Sequence, residues 1–331
     1  MNNWLLFIPL LLLIGVQDAL TGVFGAPSIV ATMIASRAAS PRHAIVLSTL
    51  AQLIGPCLFG VAVATTVGSE VVDPRLITPG ILYSAILVTV IWMLFAWYYR
   101  IPSSSTHALI GGLVGSVSAA LGIAAIHEGG LLKILLSLTL TAPLGILGGF
   151  AAARLFRWLA RGATPRANRS FNRGQYVIAL FLGFAIGSNN AQNTMGVTVL
   201  GLMATGFLTK FEVPPWVIVA SAACLAAGNL VGGMRLMRSV GARFFPVRPL
   251  HGFSAQMSST LIIIASSLVG GDVSTTHVTS MSIVGVGAAE RLTLVQWRFV
   301  YRVLLTWGLT IPVTAASAYV IWFIFHGLGI P

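Results

Sequence analysis

Two short runs of hydroxyl side chains, each followed by a histidine, interrupt a strongly apolar chain. Residues 103–106 (SSST) precede His107, and residues 274–276 (STT) precede His277. Serine and threonine are favoured N-caps, so each run predicts the start of a helix. A helix start offers free N–H groups and a partial positive charge. Two such starts held together inside a membrane would form an anion site whose donors are hydroxyls and backbone amides.

The candidate donors are the side chains of both runs: Ser103, Ser104, Ser105, Thr106, Ser274, Thr275 and Thr276. A single run would more simply cap a helix or pack against a neighbouring helix, as hydroxyls often do in membranes. The repetition of the run, each time with a histidine after it, favours a binding site. His107 and His277 are interpreted either as proton carriers or substrate ligands, or as supports that orient a neighbour by a hydrogen bond.

The composition places the chain in a membrane. Mean hydropathy is +0.92, and only 8% of the residues are charged, against about 25% in soluble domains. Many apolar runs reach about 20 residues, which is enough for a membrane-spanning helix. The first run, residues 4–16, has no basic leader and is interpreted as a retained helix and not a signal peptide. Cys57 and Cys224 lie in apolar runs without metal-ligand spacing, so we expect them to pack in the core.

The apolar runs form two similar series, which predict two repeats: residues 1–160, an Arg-rich cytoplasmic linker at 161–174, and residues 175–331. If each hydroxyl run with its apolar tail crosses once, each repeat has five crossings. An odd number of crossings inverts the second repeat relative to the first. With the linker inside, most of the 19 basic residues fall on the inner side, as the positive-inside rule requires. This topology explains the net charge of +12 better than nucleic-acid binding does, and it puts both termini outside.

Four segments resemble the inorganic phosphate transporter (PiT) family: residues 35–42 (ASRAASPR), 102–112 (PSSSTHALIGG), 187–196 (GSNNAQNTMG) and 273–278 (VSTTHV). The resemblance extends over essentially the whole chain. It implies an all-helical secondary transporter of an inorganic oxyanion, built from two inverted repeats that rock to expose the site alternately. It also implies the inner membrane of a bacterial-type cell, and it leaves a homodimer open. No cofactor, metal site or catalytic residue is predicted.

The family signature, Gly-Ala-Asn-Asp-x-x-Asn, lies on a broken first helix in each repeat. The sequence predicts these breaks at Gly22, Gly25, Pro27 and Gly187. Both signature aspartates are replaced here, by Gly25 and by Asn190. The resemblance adds four residues to the substrate cage, namely Ser28, Asn189, Asn190 and Asn193.

The loss of both signature carboxylates favours sulfate as the substrate. Hydrogen phosphate carries a proton that a carboxylate can accept, whereas sulfate carries none and is repelled by a carboxylate. The replacements also resemble the bacterial sulfate permease branch of the family. The alternative is a phosphate transporter that binds its substrate with the helix starts alone and couples differently.

Two remaining acidic residues are the candidates for coupling or gating, together with His107 and His277. Asp18 falls within an apolar span, where a carboxyl group is a functional candidate by default. Asp272 precedes the second hydroxyl run, and we expect it to cap that helix. Without the signature carboxylates, a proton is favoured over sodium as the coupling ion. Two other classes stay open: an intramembrane hydrolase that uses Ser105 with His107, and an anion channel.

Overall fold

The computed structural model describes residues 3–164, 166–240 and 245–330, with side chains for all of them except residues 233–240. Arg243, one of the predicted inner-side charges, lies outside the described residues, as do the side chains of Arg235 and Arg238. Within the described part the chain forms eleven α-helices and no strand. The helices are α1 Asn3–Ala35, α2 Pro41–Ile54, α3 Ala62–Thr65, α4 Pro79–Tyr98, α5 Ser105–Leu121, α6 Glu128–Leu159, α7 Ala167–Ala204, α8 Pro215–Val240, α9 Pro249–Leu268, α10 Thr275–Glu290 and α11 Trp297–Gly327.

Shorter helical turns join these elements. The 3-10 turns are Gly55–Cys57, Pro74–Leu76, Ile123–Ala125 and Leu292–Leu294, and Thr66–Glu70 is a π-helix. The start of α7 at Ala167 makes part of the predicted linker helical.

Five helices of the described part are long and apolar enough to cross a membrane: α1, α4, α6, α11 and the Pro215–Gly232 part of α8. A sixth candidate is a pair of segments, Pro41–Cys57 and Ala62–Glu70, bent by 68° at the break between them. The hydroxyl-run helices are shorter, with 17 residues in α5 and 16 in α10. At 1.5 Å per residue each is about 25 Å long, less than the hydrocarbon core of about 30 Å. Five full crossings per repeat therefore stay a prediction.

The two repeats are inverted, because their first helices run antiparallel. Along the contact between α1 and α7, Leu10 lies beside Gly201, the Asp18 carboxylate accepts a hydrogen bond from Thr194, and Ile29 lies beside Gly183. The α1 number rises as the α7 number falls. Equivalent helices of the two repeats therefore point in opposite directions.

The repeats are also interlocked, since helices of one pack on helices of the other. Helix α1 packs on α8, and its equivalent α7 packs on α2. Likewise α6 packs on α10, and α11 packs on α5. Residues from both halves share each major apolar cluster. The halves therefore form one body, and neither has a complete core by itself.

Glycines allow the closest of these approaches, and the same contact is made twice. Gly228 of α8 lies against the backbone carbonyl of Ala19, and Gly55 lies against that of Phe184. Gly22 lies against the backbone of Leu225 in the same way that Gly187 lies against that of Gln52. Residues 19 and 22 thus correspond to 184 and 187, while 52 and 55 correspond to 225 and 228. A side chain at any of these glycines would push two backbones apart.

These contacts correct the predicted helix breaks. Helix α1 continues without interruption through Gly22, Gly25 and Pro27, and α7 continues through Gly187. Gly22 and Gly187 serve close helix packing, as small residues do at membrane helix interfaces. In the sequence, a glycine inside an apolar run is equally consistent with a helix break and with a close helix–helix contact. Only the position of the neighbouring helix distinguishes the two.

Two helical hairpins carry the hydroxyl runs at their turns. Helices α4 and α9 both end in a residue with left-handed backbone, Arg100 at φ 55° and Gly270 at φ 69°. In each turn the next N–H bonds back to a helical carbonyl, from Ile101 to Ala96 and from Gly271 to Ser266, at 2.9 Å. This is the usual left-handed helix termination. It reverses the chain at equivalent places and delivers each hydroxyl run to the start of the following helix.

We expect Gly228→Ala to destabilise the protein, because the added methyl group would overlap the carbonyl of Ala19. Overpacking of this kind costs about 1–3 kcal/mol, measurable as a lower unfolding temperature in detergent. Gly308→Ala on α11 is the matched control, since no atom of the described part of the chain lies within 4 Å of its added methyl group. Equal stability of the two variants would contradict the close α1–α8 contact.

Candidate functional site

Both predicted helix starts are confirmed. Ser104 is the N-cap of α5, and its hydroxyl accepts the N–H of His107 at 3.3 Å. Ser274 is the N-cap of α10, and its hydroxyl accepts the N–H of His277 at 3.4 Å. Both serines have extended backbone, as an N-cap requires. The histidines are thus placed identically, three residues after each cap.

The two runs meet. Ser274 Oγ donates to Ser104 Oγ at 2.9 Å, although the residues are 170 apart in sequence. Nδ1 of His107 also lies 2.8 Å from Ser104 Oγ. The rings of His107 and His277 lie side by side, with their centroids 4.4 Å apart. Two helix N-termini from opposite repeats therefore converge on one buried region.

Asparagines of α7 join the two runs. Asn193 Nδ2 donates to Thr106 Oγ1 at 3.1 Å and to Asp272 Oδ1 at 3.2 Å. Asn190 Oδ1 accepts from Thr275 Oγ1 at 3.1 Å. The group of side chains connected in this way is called the cradle below, and it comprises Ser104, Thr106, Asn190, Asn193, Asp272, Ser274 and Thr275.

Several polar atoms in and around the cradle are buried without a hydrogen-bond partner among the described residues. They are Asn189 Oδ1, Asn193 Oδ1, Asp272 Oδ2 and His277 Nε2. An unsatisfied buried polar group costs about 1–3 kcal/mol, and more when it is charged. Such a concentration is unusual in a folded interior. Together with two helix starts, it gives donors and acceptors for a small polar ligand.

The remaining predicted site residues make other contacts. Ser103 accepts a hydrogen bond from Trp92 Nε1 at 2.9 Å, and Asn189 Nδ2 donates to Ser267 at 3.4 Å. Ser28 donates to the carbonyl of Phe24 in its own helix at 3.4 Å. Ser105 is half-buried and Thr276 is buried, both in the first turn of their helices.

The expected cap by Asp272 is corrected, because Ser274 caps α10 while Asp272 binds Asn193. Asp272 lies two residues before the cap, in the turn between α9 and α10. The carboxylate is only 1% exposed. It therefore belongs to the cradle and not to the helix end.

Sequence reasoning missed two tryptophans that support the histidines and the turns. The Trp307 ring stacks on His277, with centroids 3.4 Å apart and planes at 17°. Its Nε1 donates to the carbonyl of Pro102 at 2.8 Å. Trp92 holds Ser103 in the same turn. No local pattern marks either tryptophan, because each reaches the runs from another helix.

Asp18 lies beside the cradle and not in it. Its Oδ1 accepts from Thr194, the residue after Asn193, at 3.1 Å, while its Oδ2 is buried without a partner among the described residues. The carboxyl borders a cavity of about 410 Å³ whose other walls are mostly apolar and include Ser221 and Trp216. Trp216 is exposed at the outer surface of the helix bundle.

An ionic cluster lies away from the cradle, at the start of α9 and the end of α10. Glu290 pairs with Arg157 of α6 at 3.1 Å and with His251 of α9 at 2.7 Å. Burial raises the pKa of the Glu290 carboxyl. The hydrogen bond from His251 and the positive charge of Arg157 outweigh this effect and hold the pKa below its ordinary value. Burial lowers the pKa of the His251 imidazole below its ordinary value, although the hydrogen bond to Glu290 and the negative charge of Glu290 act to raise it. This cluster ties the ends of three helices together.

In the described part of the chain, no three His, Cys, Asp or Glu residues are grouped so that they could hold an ion. The hydrolase alternative requires His107 to contact Ser105. His107 contacts Ser104, which caps the helix, and not Ser105.

The chain matches the phosphate transporter family model over residues 21–164 and 160–318, which is nearly its whole length. The chain belongs to the phosphate transporter family. As a member of this family it is an integral membrane transporter and not an enzyme. The cradle therefore lies in a protein whose task is to move a solute.

Relatives that match over most of their own length support this placement. A protein of Bacillus subtilis (strain 168), named as a probable low-affinity inorganic phosphate transporter, is 34% identical over 93% of this chain and 94% of its own. One from Rhizobium meliloti (strain 1021) with the same name is 34% identical over 92% of both chains. A third, from Mycobacterium bovis, is 36% identical over 94% of this chain and 76% of its own.

The fold of this family member is that of a solved structure described as the sodium-dependent phosphate transporter. The TM-score is 0.86, over 96% of this chain and 99% of that one. At 20% identity this likeness shows the fold alone.

The preference for sulfate is not supported. The relatives reported above are named for phosphate, and none of them supports a sulfate permease branch. The physical premise also fails, because the cradle does contain a carboxylate. Asp272 supplies it from the α9–α10 turn and not from the signature segments.

The contact between Ser274 and Ser104 can be tested by a double-mutant cycle. We expect Ser104→Ala and Ser274→Ala each to lower the free energy of unfolding by about 0.5–2 kcal/mol, because each removes an N-cap. Their effects should not add, with a coupling energy of about 0.5–1.5 kcal/mol for the shared hydrogen bond. Ser84→Ala, whose hydroxyl bonds only within α4, combined with Ser104→Ala should be additive. Additive behaviour of the cradle pair would show that the runs do not meet.

Proposed function

We propose that this protein is a secondary transporter that carries inorganic phosphate across the membrane by alternating access. The observation that carries the proposal is the buried Asp272 carboxylate within the cradle. It lies two residues before the N-cap of α10, and Asn193 links it to Thr106 at the start of α5. Both helix starts favour an anion. Oδ1 of Asp272 accepts from Asn193, and its Oδ2 has no partner among the described residues. The naming of the relatives as phosphate transporters supports the same substrate.

The chemistry of Asp272 discriminates between phosphate and sulfate. An ionised carboxylate only accepts hydrogen bonds. Hydrogen phosphate has a P–OH group that can donate to Asp272 Oδ2, and a bond to an ionised acceptor is short and strong. Sulfate has no such proton, so its oxygens would meet the carboxylate with repulsion and no compensating bond. The hydroxyls and the free N–H groups of α5 and α10 would donate to the remaining phosphate oxygens.

The proposed substrate ligands are therefore the cradle residues, with Ser105 and Thr276 in the first turns beside them. Ser103, Asn189 and Ser28 would support these ligands and not touch the anion, because their side chains are held by other groups. His107 and His277 would fix the caps, in keeping with the stacking of His277 on Trp307. The Arg-rich loops are proposed to face the cytoplasm, as their charge favours.

Asp272→Asn tests the substrate assignment. The amide keeps the shape, and its oxygen can still accept from Asn193. An NH2 group then replaces Oδ2; it donates and cannot accept the phosphate proton, and the uncharged side chain no longer repels sulfate. In proteoliposomes we expect labelled phosphate uptake to fall at least tenfold, about 1.4 kcal/mol, while inhibition of the remaining uptake by excess sulfate becomes stronger. Asp73→Asn removes an equal charge from a loop and should leave both values unchanged. Wild-type uptake of sulfate in preference to phosphate would overturn the proposal.

We further propose that a proton is the coupling ion and that Asp18 carries it. Within the described part of the chain, the cavity beside Asp18 is lined mostly by apolar residues and by no basic residue. A carboxylate without a paired cation is costly to keep charged there, and a proton is the simplest ion to neutralise it. Thr194, which donates a hydrogen bond to Asp18, directly follows Asn193 in α7. Protonation of Asp18 would therefore change its hydrogen bond with Thr194, which lies on α7 directly beside the cradle.

Asp18→Asn should abolish the stimulation of phosphate uptake by an inward proton gradient. Exchange of labelled for unlabelled phosphate at equal pH should persist, because the cradle is unchanged. Uptake by the wild type is measured with a pH gradient and, separately, with a sodium gradient. Stimulation by sodium alone, or an intact pH effect in Asp18→Asn, would contradict this role.

A further inference from the structure

Gln52 of α2 has a completely buried side chain whose amide makes no hydrogen bond to the described part of the chain. Its exposure is 0%, and neither Nε2 nor Oε1 has a hydrogen-bond partner among the residues that the structure describes. Among the buried amide side chains that the structure describes, Gln52 is the one with both polar atoms unpaired. Leaving a buried amide unpaired destabilises a fold. A glutamine at this position is therefore a poor choice for packing alone.

Gln52 lies between the first helices of the two repeats, with its amide against α1 and its backbone against α7. A Cβ built on Gly25 of α1 would lie 2.8 Å from Gln52 Nε2 and 3.2 Å from its Oε1. On the other side, a Cβ on Gly187 of α7 would lie 2.9 Å from Gln52 Cα. Gln52 thus occupies the space that a side chain at position 25 would need. Gly187, the residue of α7 that lies against Gln52, is three residues before Asn190.

The repeat symmetry gives this position a counterpart in the cradle. The correspondence of Gly22 with Gly187 pairs Gly25 with Asn190. The correspondence of Gly55 with Gly228 pairs Gln52 with Leu225. One repeat therefore has Gly and Gln where the other has Asn and Leu. Each repeat places one amide at this level, from α7 in the second repeat and from α2 in the first.

We propose that Gln52 binds the transported oxyanion, as the first repeat's counterpart of Asn190. Its Nε2 would donate to an anion oxygen, and its Oε1 would accept the proton of hydrogen phosphate when the anion turns that group towards it. This inference rests on the proposed oxyanion transport and adds a ligand from a helix outside the hydroxyl runs and the signature segments. The glycine at position 25 is then the condition that lets the longer side chain reach in.

Gln52→Leu is the decisive variant, because the equivalent position already carries Leu225. We expect phosphate affinity, measured by calorimetry on detergent-solubilised protein and as the KM of uptake, to weaken about tenfold to a hundredfold, as for loss of a bond to a charged group. The unfolding temperature without phosphate should stay equal or rise, since two unpaired polar atoms are removed.

Gln175→Leu is the matched control with the opposite expectation. Gln175 is equally buried, but its amide accepts from Ser36 at 3.1 Å and donates to the carbonyl of Pro249 at 3.2 Å. Its loss should lower the unfolding temperature and leave phosphate affinity unchanged. A purely structural role for Gln52 would give it the pattern expected for Gln175.

A rescue experiment keeps the test decisive if Gln52→Leu folds poorly. Gln52→Ala opens the space beside Gly25, and Gln52→Ala with Gly25→Asn moves the amide to α1, as Asn190 has it on α7. The single variant should lose affinity, and the double variant should recover part of it. Equal affinity of wild type and Gln52→Ala would overturn the proposal.

Each protein is tested with both phosphate and sulfate, which separates the two proposals. If the wild type binds sulfate in preference to phosphate and Gln52→Leu weakens sulfate binding, the phosphate assignment fails while the role of Gln52 holds. If the wild type binds phosphate and Gln52→Leu binds it equally well, the assignment holds and the role of Gln52 is refuted.

Discussion

The hydrogen bond from Ser274 to Ser104 brings two helix N-termini into contact. Each N-terminus carries a partial positive charge of roughly half a unit, and like charges repel more strongly where water is excluded. The Asp272 carboxylate, held beside them by Asn193, offsets part of this repulsion. A bound oxyanion would offset the rest. In the proposed transport, the affinity for an anion would therefore follow from how the two repeats meet, without an arginine or lysine among the cradle residues.

The meeting of the runs depends in turn on the exchange of helices between repeats. Helix α11 supports α5, and α6 supports α10, so each hydroxyl helix is positioned by the other half of the chain. Trp307 shows this directly, because it holds both Pro102 of the first repeat and His277 of the second. Rocking of one sequence half against the other, as the sequence suggested, would have to separate these glycine-lined contacts. For the proposed alternating access, the glycine-lined contacts would stay intact if α1, α2, α7 and α8 moved together against a group formed by the two hairpins, α6 and α11.

The sequence predicted the parts of the site that lie in local patterns. A run of hydroxyls before an apolar segment specifies a capped helix start, and both caps are present at Ser104 and Ser274. The repetition specified an inverted pair, which the antiparallel α1 and α7 confirm. The helix breaks were not predictable, because Gly22 and Gly187 have the same local signature whether a helix stops there or touches a neighbour. Their true role depends on Leu225 and Gln52, which lie far away in sequence.

The preference for sulfate failed for a related reason. It counted carboxylates along the signature segments, whereas the substrate would encounter them in space. A carboxylate absent from positions 25 and 190 is present at Asp272, carried by a turn that enters the same cradle. Gln52 shows the same rule for an amide, since the group missing at Gly25 is placed there from α2. In an interlocked repeat protein, a helix can lose a polar side chain while the site keeps one, because several helices reach the same point.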